Sequence, residues 1–246
     1  MNPGFTIPVL DHGFVRYLGH YGSDMTVVEA ARVSYQSKSK GSDADRKLLE
    51  YLWKNKHTSP FEMVKLHLGV KLPIFVMRQY VRHRMQNLNE VSARYSQLPA
   101  EFYIPASWRK QDVKNKQGSI EEGYWNPIVA RDDEEGEATL SDMVILHCNS
   151  VYSMYEKMLE LGVAREMARF ILPVNIYTEI QSVWDMKNLL HYISLRDDSH
   201  AQREHQEYGK AIATICTELF PWIMGAFRRY KFVAFDTEDP AGTEIW

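Results

Sequence analysis

Apolar side chains follow two periods along this chain, and the switches between them outline most of its elements. Residues 13–19, "GFVRYLG", alternate apolar and polar as a half-buried strand does, and 62–71, "EMVKLHLGVK", repeat the alternation with Leu66, Leu68 and Val70 on one face. Between them the spacing becomes helical. "SDMTVVEAARVSY" offers Ser23 and Asp24 as N-caps, and "DADRKLLEYLWKN" predicts a second helix capped near Ser42 or Asp43. Pro73 suits a first helical turn, where its missing N–H is no loss. It predicts a helix to about Arg84 with Ile74, Met77 and Val81 facing the core and Arg78, Gln79 and Arg82 forming a polar, cationic face.

The second half predicts a long helix at about 140–162, a short one at 163–171, and a strand in "PVNIYTEIQSVWDM" leading into a helix that ends near Arg196. A last helix covers about 200–219. Residues 108–139 have little periodicity and carry the charge run "RDDEEGE", so they predict an irregular, solvated insertion in one domain spanning 1–246, and the tail "DTEDPAGTEIW" is expected to be loosely attached.

Composition narrows the function. At 246 residues and 45% hydrophobic content the chain can bury a sizeable core, and its net charge of −3 excludes a general electrostatic binder of polymeric nucleic acid or of membranes. Any anion binding must be local. No apolar run approaches the roughly 20 residues of a bilayer span, and the first residues lack a signal-peptide pattern, so a cytoplasmic protein is expected. Cys148 and Cys216 sit inside helical patterns as core residues, which argues against a disulfide or a thiolate metal site. The chain has no GxGxxG, GxxxxGK[ST] or GxSxG sequence. His200 and Glu204 are four apart, but nothing nearby completes a ligand set. No metal is expected, and His200 reads as a capping or hydrogen-bonding residue.

The segment "RQYVRHRMQNLNEVSARYS", 78–96, changes the picture. It gathers Arg78, Arg82, Arg84, Arg94 and His83 against the single acid Glu90. These groups cannot neutralise one another, so a folded site needs an external anion or acids from elsewhere. Arginine's planar fork grips phosphate or the carbonyl and imide edge of a base, and Gln79, Asn87 and Asn89 add neutral donors and acceptors suited to a nucleobase or sugar. A nucleotide pocket fits. A single-strand nucleic-acid groove also fits, but it would want a longer basic and aromatic track.

"RHRMQNLNEVSAR" also resembles the RHRx7S signature of the flavin-dependent thymidylate synthases, with Arg82-His83-Arg84, seven residues, then Ser92. "AARVSY", "HTSPFE", "LPIFVMRQY", "EFYIP", "GVAREMARFILPVNIYT" and "LRDDSHAQ" resemble further segments of that family, in family order. The resemblance implies a mixed α+β fold, with a central twisted, mostly antiparallel sheet flanked by helices, and a homotetramer whose sites are shared between subunits. It also implies conversion of dUMP to dTMP with 5,10-methylenetetrahydrofolate as carbon donor, FAD carrying the hydride and NADPH reducing the flavin.

Matched residue by residue, the resemblance implies dUMP contacts from Gln79, Tyr80, Val81 and Arg82, from the loop Glu90, Val91, Ser92, Ala93 and Arg94, and from Arg169 and Arg196. Arg169 would hold the phosphate, and Arg196 would face the uracil ring and stabilise charge developing on it. FAD contacts are implied for Ser34, His57, Ser59, Glu62, Arg82, His83, Arg84, Glu90, Asp185, Met186, Lys187 and His191. Asp185 and His191 stand where asparagine is common in the family, and an aspartate near flavin phosphates is expected to weaken binding by charge repulsion. Ser92 has no histidine placed as its base, so it is expected to orient or activate the nucleotide rather than attack it. Neither cysteine has the exposed, electropositive setting of a reactive thiol.

Overall fold

The computed structural model describes residues 1–34, 36, 38, 39, 41–116, 118–120, 123–132, 136–198 and 201–230. The chain opens with strands β1 (Thr6–Val9) and β2 (Gly13–Tyr21), then helices α1 (Asp24–Val33) and α2 (Ser42–Lys54). A 3-10 turn, Ser59–Met63, leads into β3 (Lys65–Pro73), helix α3 (Ile74–Tyr80) and β4 (Gln86–Glu90). Two hairpins follow, β5 (Lys110–Gln111) with β6 (Ser119–Ile120) and β7 (Ile128–Asp132) with β8 (Gly136–Thr139). Helix α4 (Leu140–Glu160), the short α5 (Arg165–Ala168), a 3-10 turn Arg169–Ile171, strand β9 (Tyr177–Asp185), α6 (Met186–Arg196), α7 (Arg203–Leu219) and α8 (Pro221–Arg229) complete it.

The main sheet runs β1-β2-β3-β9-β4, antiparallel at every pairing. The fold is therefore mixed α and β with a largely antiparallel sheet, as expected. Strand β3 is central, and Leu66, Leu68, Val70 and Leu72 are fully buried, as the period-two pattern predicts. The main core joins the sheet to α1, α2, α3, α6, α7 and α8. A smaller core, Ala93, Leu98, Phe102, Cys148 and Ile176, lies under α4. Cys148 and Cys216 are both buried and unpaired.

At Gly13 the first hairpin meets α7. A Cβ there would run into Tyr208 Oη and lie 2.6 Å from the Val9 carbonyl oxygen and 2.8 Å from that of Lys71. Only a residue without a side chain fits.

Several sequence-based boundaries shift. The predicted helix at 73–84 stops at Tyr80, and Pro73 closes β3 and serves as N-cap instead of lying in the first turn. The reason lies six residues on, where the Gln86 side-chain amide donates to the carbonyls of Tyr80 and His83. That ends α3 and frees 86–90 to pair with β9. Arg82, His83 and Arg84 therefore lie in a turn rather than on a helix face. Strand β3 starts at Lys65 rather than 62, because 59–63 coil into the 3-10 turn. Gly41, at φ 97°, is the N-cap of α2 in place of Ser42 or Asp43. The apolar pattern does not reveal β1 or α8.

The 108–139 excursion is not simply solvated. Trp108 Nε1 donates to Ser141 Oγ at 3.0 Å, and Arg109 pairs with the buried Glu204 at 2.6 Å. His200 and the tail from 231 lie outside the described residues.

Candidate active site

Strand β4 delivers the first part of the site. Glu90 is its last residue, opposite Ile180, and Val91 N–H bonds the Glu179 carbonyl at 2.9 Å, so the chain leaves the sheet in a fixed direction. Ser92 then turns it. Its Oγ accepts from Arg94 N–H at 3.3 Å and its carbonyl accepts from Tyr95 and Ser96, a local serine-capped turn. Glu90 Oε1 accepts from Thr178 Oγ1 at 2.7 Å. Glu90, Val91, Ser92, Ala93 and Arg169 line one cleft of about 290 Å³, with Ile74, Leu98, Leu172 and Thr178 as its remaining walls. Five residues matched by motif, 79 positions apart at the extremes (169 − 90), thus share one opening. Arg169 reaches it from the first position of the 3-10 turn after α5. Arg94 points elsewhere, to an exposed pair with Glu166 at 3.3 Å.

A second group forms where the turn after α3 meets the end of α6. Arg196 Nε donates to His83 Nε2 at 3.1 Å. The His83 ring packs edge-on against Tyr192 at 4.9 Å and His191 at 6.5 Å. Burial, with Arg196 and His191 alongside, pulls the His83 imidazole down to about 4. His83 is therefore neutral at pH 7, with Nε2 free to accept. Burial also lowers the pKa of the Arg196 guanidinium from its ordinary value. Arg78, Arg82 and Arg84 are exposed, and their side chains bond no other described residue.

A third group lies at the start of α6. Lys187 Nζ pairs with Glu62 Oε1 at 2.9 Å, joining the helix to the 3-10 turn that carries Ser59, with the exposed His57 just before it. Asp185 caps α6, accepting from Asn188 N–H at 2.9 Å and from Asn188 Nδ2 at 2.8 Å. Ser34, exposed, ends α1.

Two matched side chains are not presented at all. Tyr80 is fully buried, its hydroxyl 3.0 Å from Ser182 Oγ and 3.1 Å from Trp184 Nε1, and Met186 is likewise in the core. Burial pushes the Tyr80 phenol up to about 12. These two positions can offer a ligand only their main chain. Val81, at 42% exposed, is outside the core that the helical pattern assigned to it, because α3 has already ended.

Residues not foreseen complete the arrangement. Gln79 donates to Gln202 Oε1 and accepts from His205, which also bonds Tyr192. His205 is fully buried, and burial with Arg196 and His83 nearby holds its imidazole down at about 3. The stretch "AQREHQ", dense in bonding side chains on a helix that must pack, was the available signal.

The edge strand of an antiparallel sheet thus hands an acid and a serine turn to one cleft that Arg169 also lines, an arrangement suited to an enzyme acting on an anionic ligand. Solved structures share this fold. A UMP/dUMP methylase from Streptomyces cacaoi, bound with 5-Br UMP, superposes with a TM-score of 0.73 at 28% identity, covering 91% of this chain and 97% of that one. The same enzyme with 5-Br dUMP gives 0.70. Residues 16–222 match the family model "Thymidylate synthase complementing protein". The chain is 46% identical over 230 residues to a flavin-dependent thymidylate synthase of Thermus thermophilus, covering 94% of this chain and 81% of that one. It is 45% identical over 224 residues to that of Wolbachia pipientis, covering 90% of this chain and 76% of that one. The chain belongs to the flavin-dependent thymidylate synthase family of enzymes.

Proposed function

We propose that this chain is an FAD-dependent thymidylate synthase that reductively methylates dUMP to dTMP. Its carbon donor is 5,10-methylenetetrahydrofolate, and NADPH-reduced FAD is its hydride source. The observation that carries the reading is the single cleft onto which the Glu90–Ala93 turn and Arg169 converge. Arg169 serves the dUMP phosphate there, and Ser92 holds the turn that orients the nucleotide. Arg196, partly withdrawn from water, faces the uracil ring, where a fixed cation favours negative charge spreading onto the ring carbonyls.

FAD, when bound, supplies the hydride. Arg82, His83, Arg84, Ser34, His57, Ser59, Glu62, Glu90, Lys187 and His191 would hold it, Met186 by its main chain. The exposed Arg82 and Arg84, unpaired among the described residues, suit its phosphates. The expected repulsion from Asp185 is reduced, because its carboxylate is taken up by the α6 N-terminus.

No enzyme cysteine serves as nucleophile in this reading. Burial pushes the Cys216 thiol up to about 12, the reverse of an activated thiolate, and Cys148 is buried on the inner side of α4. Ser92 Oγ receives a backbone N–H and has no base bonded to it among the described residues. Ser92→Ala is expected to retain measurable turnover, and complete loss with intact folding and dUMP binding would reject that role.

The working unit is a homotetramer in the cytoplasm. On and after α4, Leu146, Met154, Leu161, Met167 and Phe170 are each at least 57% exposed, apolar side chains that a subunit interface would cover. Arg169 sits between the last two, which supports sites shared between subunits. No helix of the described residues is long and apolar enough to cross a membrane.

The deciding experiment is the visible spectrum of the purified protein with FAD, followed through addition of NADPH, dUMP and methylenetetrahydrofolate. Flavin uptake, bleaching by NADPH and dTMP formation are expected. Absence of flavin uptake under all conditions would refute the reading.

A further inference from the structure

A hydrogen-bonded chain of side chains crosses from the 108–139 excursion to the candidate site, and the chemistry of one end fixes the sense of every bond. Glu204 is 3% exposed, and its Oε1 accepts from Arg109 Nη2 at 2.6 Å and from Tyr103 Oη at 3.1 Å. A carboxylate only accepts. The Gln202 group 3.0 Å from Glu204 Oε2 must therefore be its NH₂, which turns the Gln202 carbonyl towards Gln79. Gln79 must then give its NH₂ to Gln202 and its carbonyl to His205 Nδ1, 3.3 Å away. A carbonyl cannot donate, so Nδ1 carries the proton. Nε2 is bare and accepts from the Tyr192 hydroxyl at 3.1 Å.

We propose that Glu204 is a positioning residue that, through Gln202, fixes which end of the Gln79 amide donates and which accepts, and so sets the polarity that Gln79 presents to the nucleotide. After these bonds Gln79 keeps one N–H and one carbonyl lone pair. Together they match a ligand group that both accepts and donates, such as a pyrimidine imide edge or a sugar hydroxyl. A free glutamine amide could present either sense and would discriminate less. The last clause of the proposal rests on the nucleotide reading above, and the orientation of the chain does not.

One atom should reverse the whole row. In Glu204→Gln the Oε1 position must remain oxygen for Arg109 and Tyr103, so NH₂ takes the Oε2 position. Gln202 then flips, Gln79 flips after it, and His205 must carry its proton on Nε2 and donate to Tyr192. Protein labelled with 15N only in histidine reads the protonation of each ring nitrogen, with the His205 signal assigned by its loss in His205→Gln. The native protein is expected to show Nδ1–H, and Glu204→Gln is expected to show Nε2–H. dUMP binding followed by calorimetry should weaken about tenfold, the order of one misdirected hydrogen bond.

Gln202→Ala, which leaves the Arg109–Glu204 pair whole, should give a mixture of tautomers and covers the case in which Glu204→Gln does not fold. Nδ1–H as the sole form in the folded variants would overturn the proposal, as would a switched tautomer with unchanged dUMP affinity. A switched tautomer in a protein whose native form binds no dUMP would support the orienting chain and refute the nucleotide reading instead.

Discussion

Arg196→Ala is expected to lower kcat by about 10²- to 10³-fold, the range seen when one preorganised group facing a developing charge is removed. The guanidinium is well placed to act because it is held rather than free. It closes α6, donates to His83 Nε2 at 3.1 Å, and is partly shielded from water, where a unit charge acts more strongly than at the surface. Steady-state turnover at saturating dUMP checks this, with dUMP affinity measured separately. A fall confined to affinity would mean that Arg196 binds the ground state and does nothing more in the reaction.

Arg196→Lys should recover only part of the rate, because it keeps a charge but loses the planar fork. A second readout accompanies the first. The Arg196 cation disfavours protonated His83, so its removal should raise the His83 pKa from about 4, though only in part, since burial is the larger cause.

Gly13→Ala is expected to lose about 3 kcal/mol of stability, at the severe end for overpacking. For a chain of this size that is a fall in Tm of about 6–12 °C. The added methyl would press on Tyr208 Oη and on two backbone carbonyls, and the carbonyls belong to β1 and β3 and have little room to yield. Tyr208→Phe alone removes the bond to the Lys71 carbonyl and should cost about 1 kcal/mol. In the Gly13→Ala background it should recover only part of the loss, because the carbonyl clashes remain. Thermal unfolding of the four proteins tests this, and a Gly13→Ala Tm equal to wild type would contradict it.

What the sequence makes legible follows from where each signal resides. β3 and β9 are flanked by strands on both sides and packed on a core, so their apolar alternation is strong, and it places Leu66, Leu68 and Val70 inside, where the structure has them. β4 is invisible for the opposite reason. "QNLNE" lies on the sheet edge with Leu88 only half-buried, so its pairing with β9 leaves no apolar period. Without β4 as a stop, the expected α3 runs on through Arg84. The RHR motif stands out regardless, because a motif depends on order and spacing rather than on the element that carries it.

Most of the candidate site comes from that motif and from the segments resembling the family, and the structure gathers Glu90, Ser92 and Arg169 in one cleft. Gln202 and His205 escape sequence reasoning because their roles depend on Glu204 and its partner Arg109, 95 positions away (204 − 109), a separation no local pattern encodes. By spacing alone, Glu204 suggests only half of a metal-ligand pair. Tyr80 and Met186 fit the motif by position, and their side chains belong to the core.

The place of β9 has a consequence in time. β3 and β4 are close in the chain, yet β9, made about a hundred residues later, must slide between them before β4 has its native neighbour. During synthesis the ribosome releases the RHR turn and the serine turn well before the strand that will hold them. Until residues 177–185 emerge, β4 has no edge to join, and Glu90 lacks Thr178. The turn that follows Glu90 is thus among the last parts to reach its native place.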